Sequence, residues 1–185
     1  MIKSVAVFLG SAGPDKQALD LAYEFGSRLA REGFKVIFGG AKVGTMEAFA
    51  QGCLDNGGEV IGVFPKGFGG KREVAAKGIQ ITMDCTRNIE VKDLAERKAV
   101  MNELCDCCVV LPGGFGTMEE LFCFGVENEI GHHDKRAFVL DANGYYSHLE
   151  AQLEEMKRRG FLRSDSDVIT FYPTIDSLVS CLKSL

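Results

Sequence analysis

The chain has 185 residues, 46% of them hydrophobic and 25% charged, which suffices to bury one substantial core and is short for two, since domains commonly run ~100–200 residues. A formal net charge of −5 supplies no broad basic face and argues against a nucleic-acid partner, while leaving room for a small anion held in a local pocket. No apolar run approaches the roughly 20 residues of a membrane span, and Met1-Ile2-Lys3-Ser4 leads straight into an apolar run without the basic region and cleavage site of an export signal, so the expected setting is the cytoplasm, with no membrane partner.

Apolar runs and amphipathic stretches alternate along the chain. Val5 to Leu9 reads as a strand, Lys16 to Glu32 as a helix, Lys35 to Phe38 as a second strand and Thr45 to Asn56 as a second helix. Glu59 to Phe64 is a third strand. The stretch from Pro65 to Gly78, with four glycines, four basic residues and weak periodicity, reads as a loop able to move, and a short strand is expected at Ile79–Met83. A helix near Val91–Leu104 precedes the strand Cys107–Leu111, and another runs to about Ile130. The strand Ala137–Leu140, a helix near Tyr145–Arg159, a strand near Val168–Phe171 and a helix from Thr174 complete the series. Strands apolar on both faces and joined by helices predict one α/β domain over 1–185, a doubly wound, mostly parallel sheet with helices on both faces.

In such a sheet ligands sit beyond the carboxyl ends of the strands, where the strand order reverses, so chemistry is sought in the turns after strands. Three of these turns are rich in glycine. They are Gly10-Ser11-Ala12-Gly13, then Gly39-Gly40-Ala41-Lys42-Val43-Gly44-Thr45-Met46, and then Pro112-Gly113-Gly114-Phe115-Gly116-Thr117-Met118-Glu119-Glu120. The third reads as a phosphate cradle with an acid beside it. Gly113, Gly114 and Gly116 are expected to adopt φ > 0 and let a ligand approach the backbone, while uncapped N–H groups near Thr117 present the positive end of a helix dipole. An ordinary strand-to-helix turn with acidic residues at the helix start is the competing explanation.

Several chemistries are disfavoured. No Gly-x-Gly-x-x-Gly follows the first strand and no acid follows Phe38-Gly39-Gly40, which argues against NAD; no turn carries a Walker Gly-Lys-Ser/Thr, which argues against ATP hydrolysis. Cys105-Asp106-Cys107-Cys108 contains a Cys-x-x-Cys spacing, but without a second pair or a nearby His it reads as core, and the seven cysteines as reduced thiols. His132 and His133 read as surface loop, and Arg97, taken alone, as a solvated helix residue paired with Asp93. No metal or cofactor is called for.

The strings PGGFGTMEE at 112–120, LAERKAVM at 94–101, FGGAKVGTMEAFAQG at 38–52, VFLGSAG at 7–13, GGEVIGVFP at 57–65 and NGYYSHL at 143–149 together resemble the LONELY GUY family of nucleoside 5′-monophosphate phosphoribohydrolases, some of whose members carry the label "lysine decarboxylase". The resemblance implies a Rossmann-like fold, usually a homodimer, that cleaves the N-glycosidic bond of cytokinin riboside monophosphates or of AMP to free base and ribose 5-phosphate. It puts the catalytic pair on Arg97 and Glu120, with Arg97 expected to hold Glu120 ionised. It puts ligand contacts on Lys98, Gly114, Gly116 and Thr117, with Glu119 supporting or hydrogen-bonding the ribose, and the glycine-rich turns add Ser11, Gly40, Gly44, Thr45 and Gly113 as candidate substrate contacts. Two departures from the family pattern stand out: Glu47 occupies a position where a further glycine is frequent, and the chain has no tryptophan. A non-catalytic carrier of a phosphorylated cofactor such as molybdenum cofactor is the alternative, and a pyridoxal-phosphate decarboxylase lacks a recognisable Schiff-base lysine.

Overall fold

The computed structural model describes residues 1–66, 82–162 and 168–185. Most of the expected Pro65–Gly78 loop and of the strand at Ile79–Met83 lies outside them; Thr82 forms an isolated antiparallel bridge with Ala41. The strands are β1 (Ser4–Phe8), β2 (Lys35–Phe38), β3 (Val60–Pro65), β4 (Arg87–Val91), β5 (Cys107–Val110), β6 (Ala137–Leu140) and β7 (Ile169–Tyr172). The helices are α1 (Lys16–Arg31), α2 (Gly44–Asp55), α3 (Leu94–Leu104), α4 (Phe115–Glu129), α5 (Ser147–Arg158) and α6 (Ile175–Ser184).

The strands form one seven-stranded sheet in the order β4-β3-β2-β1-β5-β6-β7, and every neighbouring pair is parallel. The doubly wound reading therefore holds. The period of two in β1 shows why both faces must be covered: Val5 and Val7 enter one core with α1, α2 and α6, while Ala6 and Phe8 enter the other with α3 and α4. On the first face α1 and α2 touch backbone to backbone, because a Cβ on Gly26 would stand 2.2 Å from the Phe49 carbonyl oxygen and one on Gly52 would stand 2.1 Å from that of Tyr23.

One strand departs from the sequence expectation. Arg87–Val91 pairs with β3 at the sheet edge, where the reading above had no strand, and α3 begins at Leu94 instead of near Val91. The edge position leaves Arg87, Asn88 and Glu90 exposed, so this segment carries no apolar run to announce it. The order reverses between β1 and β5: the chain leaves β1 for α1 on one face and β5 for α4 on the other. That divergence opens a crevice at the ends of these two strands, where two of the glycine-rich turns lie.

Candidate active site

Three successive carbonyls hold the turn after β5. The oxygen of Leu111 accepts from the Tyr146 hydroxyl at 2.7 Å, that of Pro112 from the Gly10 N–H at 3.3 Å, and that of Gly113 from the Tyr145 hydroxyl at 2.8 Å. The turn's acceptors are thus occupied from two other segments. Among the described residues its donors are not: Gly114 is the N-cap of α4 and offers no side chain, so the first N–H groups of a 15-residue helix stay uncapped there. The same holds for α2, whose N-cap Val43 makes no side-chain bond, whereas Asp15, Asp93 and Thr174 cap α1, α3 and α6. The start of α5, whose N-cap is Tyr146, has no side-chain cap either, but the uncapped starts of α2 and α4 follow two of the glycine-rich turns singled out in the sequence.

The glycines work differently from expectation. Gly113, Gly114 and Gly116 do not have positive φ; among the substrate-binding candidates that conformation belongs to Gly40 at 72° and Gly44 at 53°. Gly113 is small because Thr117 and Gly10 crowd it: a Cβ there would lie 2.1 Å from Thr117 Oγ1 and 2.8 Å from the Gly10 nitrogen. Gly114 and Gly116 instead face open space, with no atom of the described residues within 4 Å of an added Cβ. Thr45 does not present a free hydroxyl, since it is buried and donates to the Gly10 carbonyl at 2.6 Å, which ties the second turn to the first. Ser11 is exposed beside it, its carbonyl oxygen 2.4 Å from where a Cβ on Gly44 would stand.

Arg97 and Glu120 meet between α3 and α4. Arg97 lies one turn before Met101, and Glu120 one turn before Phe124; both of these apolar residues are fully buried, so helical periodicity carries the charged pair toward the core. Arg97 Nη2 stands 2.9 Å from Glu120 Oε1, with side chains 14% and 9% exposed. The solvated pairing with Asp93 does not occur, because the Asp93 carboxylate caps α3 by accepting from the Glu96 N–H at 2.9 Å. Burial raises the Glu120 carboxyl to about 6, against the downward pull of Arg97. Arg97 does favour the ionised form, as expected, but desolvation is the larger effect. Outside this pair Lys98 forms a close ion pair with the exposed Glu119, which raises the Lys98 pKa. Gly39 makes room for the arginine, since a Cβ there would lie 2.2 Å from Arg97 Nη2.

A family model described as "Possible lysine decarboxylase" matches residues 46–182. A cytokinin riboside 5′-monophosphate phosphoribohydrolase of Rhodococcoides fascians is 38% identical over 161 residues, covering 86% of this chain and 78% of that protein. One of Arabidopsis thaliana is 31% identical over 184 residues, covering 98% of this chain and 83% of that protein. The chain belongs to the cytokinin riboside 5′-monophosphate phosphoribohydrolase family. Among solved structures, the molybdenum cofactor binding protein of Rippkaea orientalis matches with a TM-score of 0.69 at 21% identity, covering 100% of this chain and 97% of that one. The molybdenum cofactor carrier protein of Chlamydomonas reinhardtii matches at 0.70 and 18%, covering 100% and 98%. At those identities the likeness concerns the fold that this phosphoribohydrolase family shares with the carriers.

Within the family fold, the structure brings together the turns holding Ser11, Gly40, Gly44, Thr45, Gly113, Gly114, Gly116 and Thr117, and joins Arg97 to Glu120 and Lys98 to Glu119. Sequence reasoning missed Gly39, Tyr145 and Tyr146 as parts of this arrangement, although the NGYYSHL string contained the signal. It also misread His133, whose imidazole packs 4.4 Å from the Phe124 ring and accepts from the Lys135 N–H through Nδ1. Cys105, Cys107 and Cys108 are buried, and burial pushes the Cys105 thiol up to about 11.

Proposed function

We propose that the protein hydrolyses the N-glycosidic bond of a purine nucleoside 5′-monophosphate, either a cytokinin riboside monophosphate or AMP, releasing the free base and ribose 5-phosphate. The observation that carries this reading is an Arg97–Glu120 pair, 2.9 Å apart and largely shielded from solvent, in which Arg97 Nε and Glu120 Oε1 have no aligned hydrogen-bond partner among the described residues. Buried polar atoms normally find partners, so the atoms this pair leaves over are suited to take polar groups of a substrate. The relatives' names support the same reaction.

In this mechanism the uncapped N–H groups of α4, with Gly114, Gly116 and Thr117, hold the 5′-phosphate. As the bond from C1′ to the base nitrogen breaks, its electron pair leaves with the base and C1′ takes on oxocarbenium character. The Glu120 carboxylate stabilises that charge and orients the attacking water, whose oxygen bonds to C1′ and whose proton is delivered to the departing base. Arg97 grips ribose oxygens through Nε and the free part of its guanidinium fork. Lys98 and Glu119 hold the ribose from the outer side.

The working form we propose is a cytoplasmic homodimer. Phe122, Val126 and Ile130, at i, i+4 and i+8 of α4, are 41%, 54% and 61% exposed. Phe122 and Val126 line a cleft of about 410 Å³ together with Leu153, Phe161 and Phe171, and none of the site residues is among the described residues that line it. Such a face suits a second copy.

The test is incubation of the purified protein with AMP and with isopentenyl-adenosine monophosphate, with free base quantified by chromatography. Release by the wild type and not by Glu120→Gln supports the hydrolase. Nucleotide binding without release favours the carrier reading.

A further inference from the structure

The β6–α5 connection places two tyrosines over the glycine-rich turn. Asn143 and Gly144 both adopt left-handed φ, 59° and 71°, which folds the chain back so that Tyr145 and Tyr146 pack edge to face with ring centroids 4.8 Å apart. The two hydroxyls have different environments. Tyr146 is buried and its bond to the Leu111 carbonyl belongs to the core, whereas Tyr145 is 55% exposed and reaches out to the Gly113 carbonyl.

The C=O of Gly113 and the N–H of Gly114 belong to one planar trans peptide unit, so they point in opposite directions and cannot turn independently. Thr117 and Gly10 crowd the Gly113 side of that plane, but with no Cβ on either residue and open space beside Gly114 among the described residues, local sterics alone leave it a wider range of orientations than substituted residues would. The bond from Tyr145 removes the freedom: with the carbonyl held, the Gly114 N–H is aimed away from Tyr145. We propose that Tyr145 is a positioning residue for phosphate recognition, acting through the Gly113 carbonyl to aim the Gly114 N–H into the site. This rests on the reading of that turn as the seat of the substrate phosphate. Tyr145 itself need not touch the substrate.

The experiment compares wild type with Tyr145→Phe, which keeps the ring and its packing on Tyr146 and removes only the hydroxyl. Three quantities are read: amide hydrogen exchange of the 112–118 segment without ligand, the dissociation constant for ribose 5-phosphate by calorimetry, and kcat and KM for the nucleotide. The expected result is faster exchange in that segment alone and a three- to tenfold weaker affinity, about the worth of one neutral hydrogen bond. KM rises by a similar factor while kcat and Tm hold. Unchanged exchange, or unchanged affinity for ribose 5-phosphate, overturns the proposal. Absence of ribose 5-phosphate binding by the wild type overturns it as well. Wild type that binds ribose 5-phosphate but releases no base sinks the hydrolase reading alone, and leaves the exchange and affinity measurements to decide the role of Tyr145.

Discussion

Arg97 and Glu120 are 2.9 Å apart, Glu120 buried and Arg97 half-buried, yet among the described residues Arg97 Nε and Glu120 Oε1 have no aligned hydrogen bond. A buried ion pair adds to stability only when its remaining donors and acceptors are satisfied, so a pair in this state is poorly explained as a device for folding. In the proposed mechanism these atoms receive oxygen atoms of the substrate. The distance between Arg97 and Glu120 depends on Gly39, whose missing side chain is the space that the guanidinium occupies.

Glu120→Gln keeps the size and polarity of the side chain and removes its charge. Base release is expected to fall by ~100-fold or more, the scale of a positioned acid–base group, with the circular dichroism spectrum unchanged. Turnover near the wild-type rate would take Glu120 out of the chemistry.

The pH profile should report the same group. Its carboxyl is raised from 4.5 to about 6, chiefly by burial, so it takes up a proton earlier on acidification than an exposed glutamate does. If the carboxylate is the active form, kcat/KM is level above about pH 7 and drops about tenfold per unit below about pH 6. An acid limb that appears only near 4.5, or none, contradicts the assignment.

Gly39→Ala should injure activity more than folding. The new Cβ would fall 2.2 Å from Arg97 Nη2 and 2.6 Å from Met46 Cε, both ends of flexible side chains that can shift. Displacing the guanidinium by about 1 Å is expected to cost up to ~100-fold in kcat/KM. Steady-state kinetics beside a melting curve measures both effects, and an unchanged kcat/KM would show that the position of Arg97 does not matter.

Gly116→Ala separates the cradle from the fold. Gly116 lies in the first turn of α4 with a negative φ and open space around it, so alanine should leave stability unchanged or raise it by up to about 1 kcal/mol. The added methyl enters the space proposed for the phosphate, and KM should rise about tenfold, roughly 1.4 kcal/mol of lost binding. A KM equal to that of the wild type would place the phosphate elsewhere.

Gly26→Ala is the opposite case. Its Cβ would meet the Phe49 carbonyl oxygen at 2.2 Å, and backbone in the middle of α2 cannot move aside as a side-chain tip can. Overpacking of this kind costs typically ~1–3 kcal/mol, read as a lower Tm. A melting point equal to that of the wild type would mean that α1 and α2 slide apart at no cost.

The sequence by itself determined the doubly wound sheet, because strands buried on both faces, such as Val5–Phe8, Cys107–Val110 and Ala137–Leu140, must read as continuous apolar runs. It also marked the three glycine-rich turns and, through resemblance, Arg97 and Glu120. It could not mark Arg87–Val91, since an edge strand need not be apolar. Nor could spacing reveal that Arg97 joins Glu120 instead of Asp93, that Gly39 is the slot for its guanidinium, or that Tyr145 reaches Gly113 across 32 residues. Periodicity and turn chemistry are local and survive in one dimension. The burial that raises Glu120, and the contacts that pin the turn around it, exist only once the sheet brings β1, β5 and β6 side by side, so the tertiary structure alone decided them.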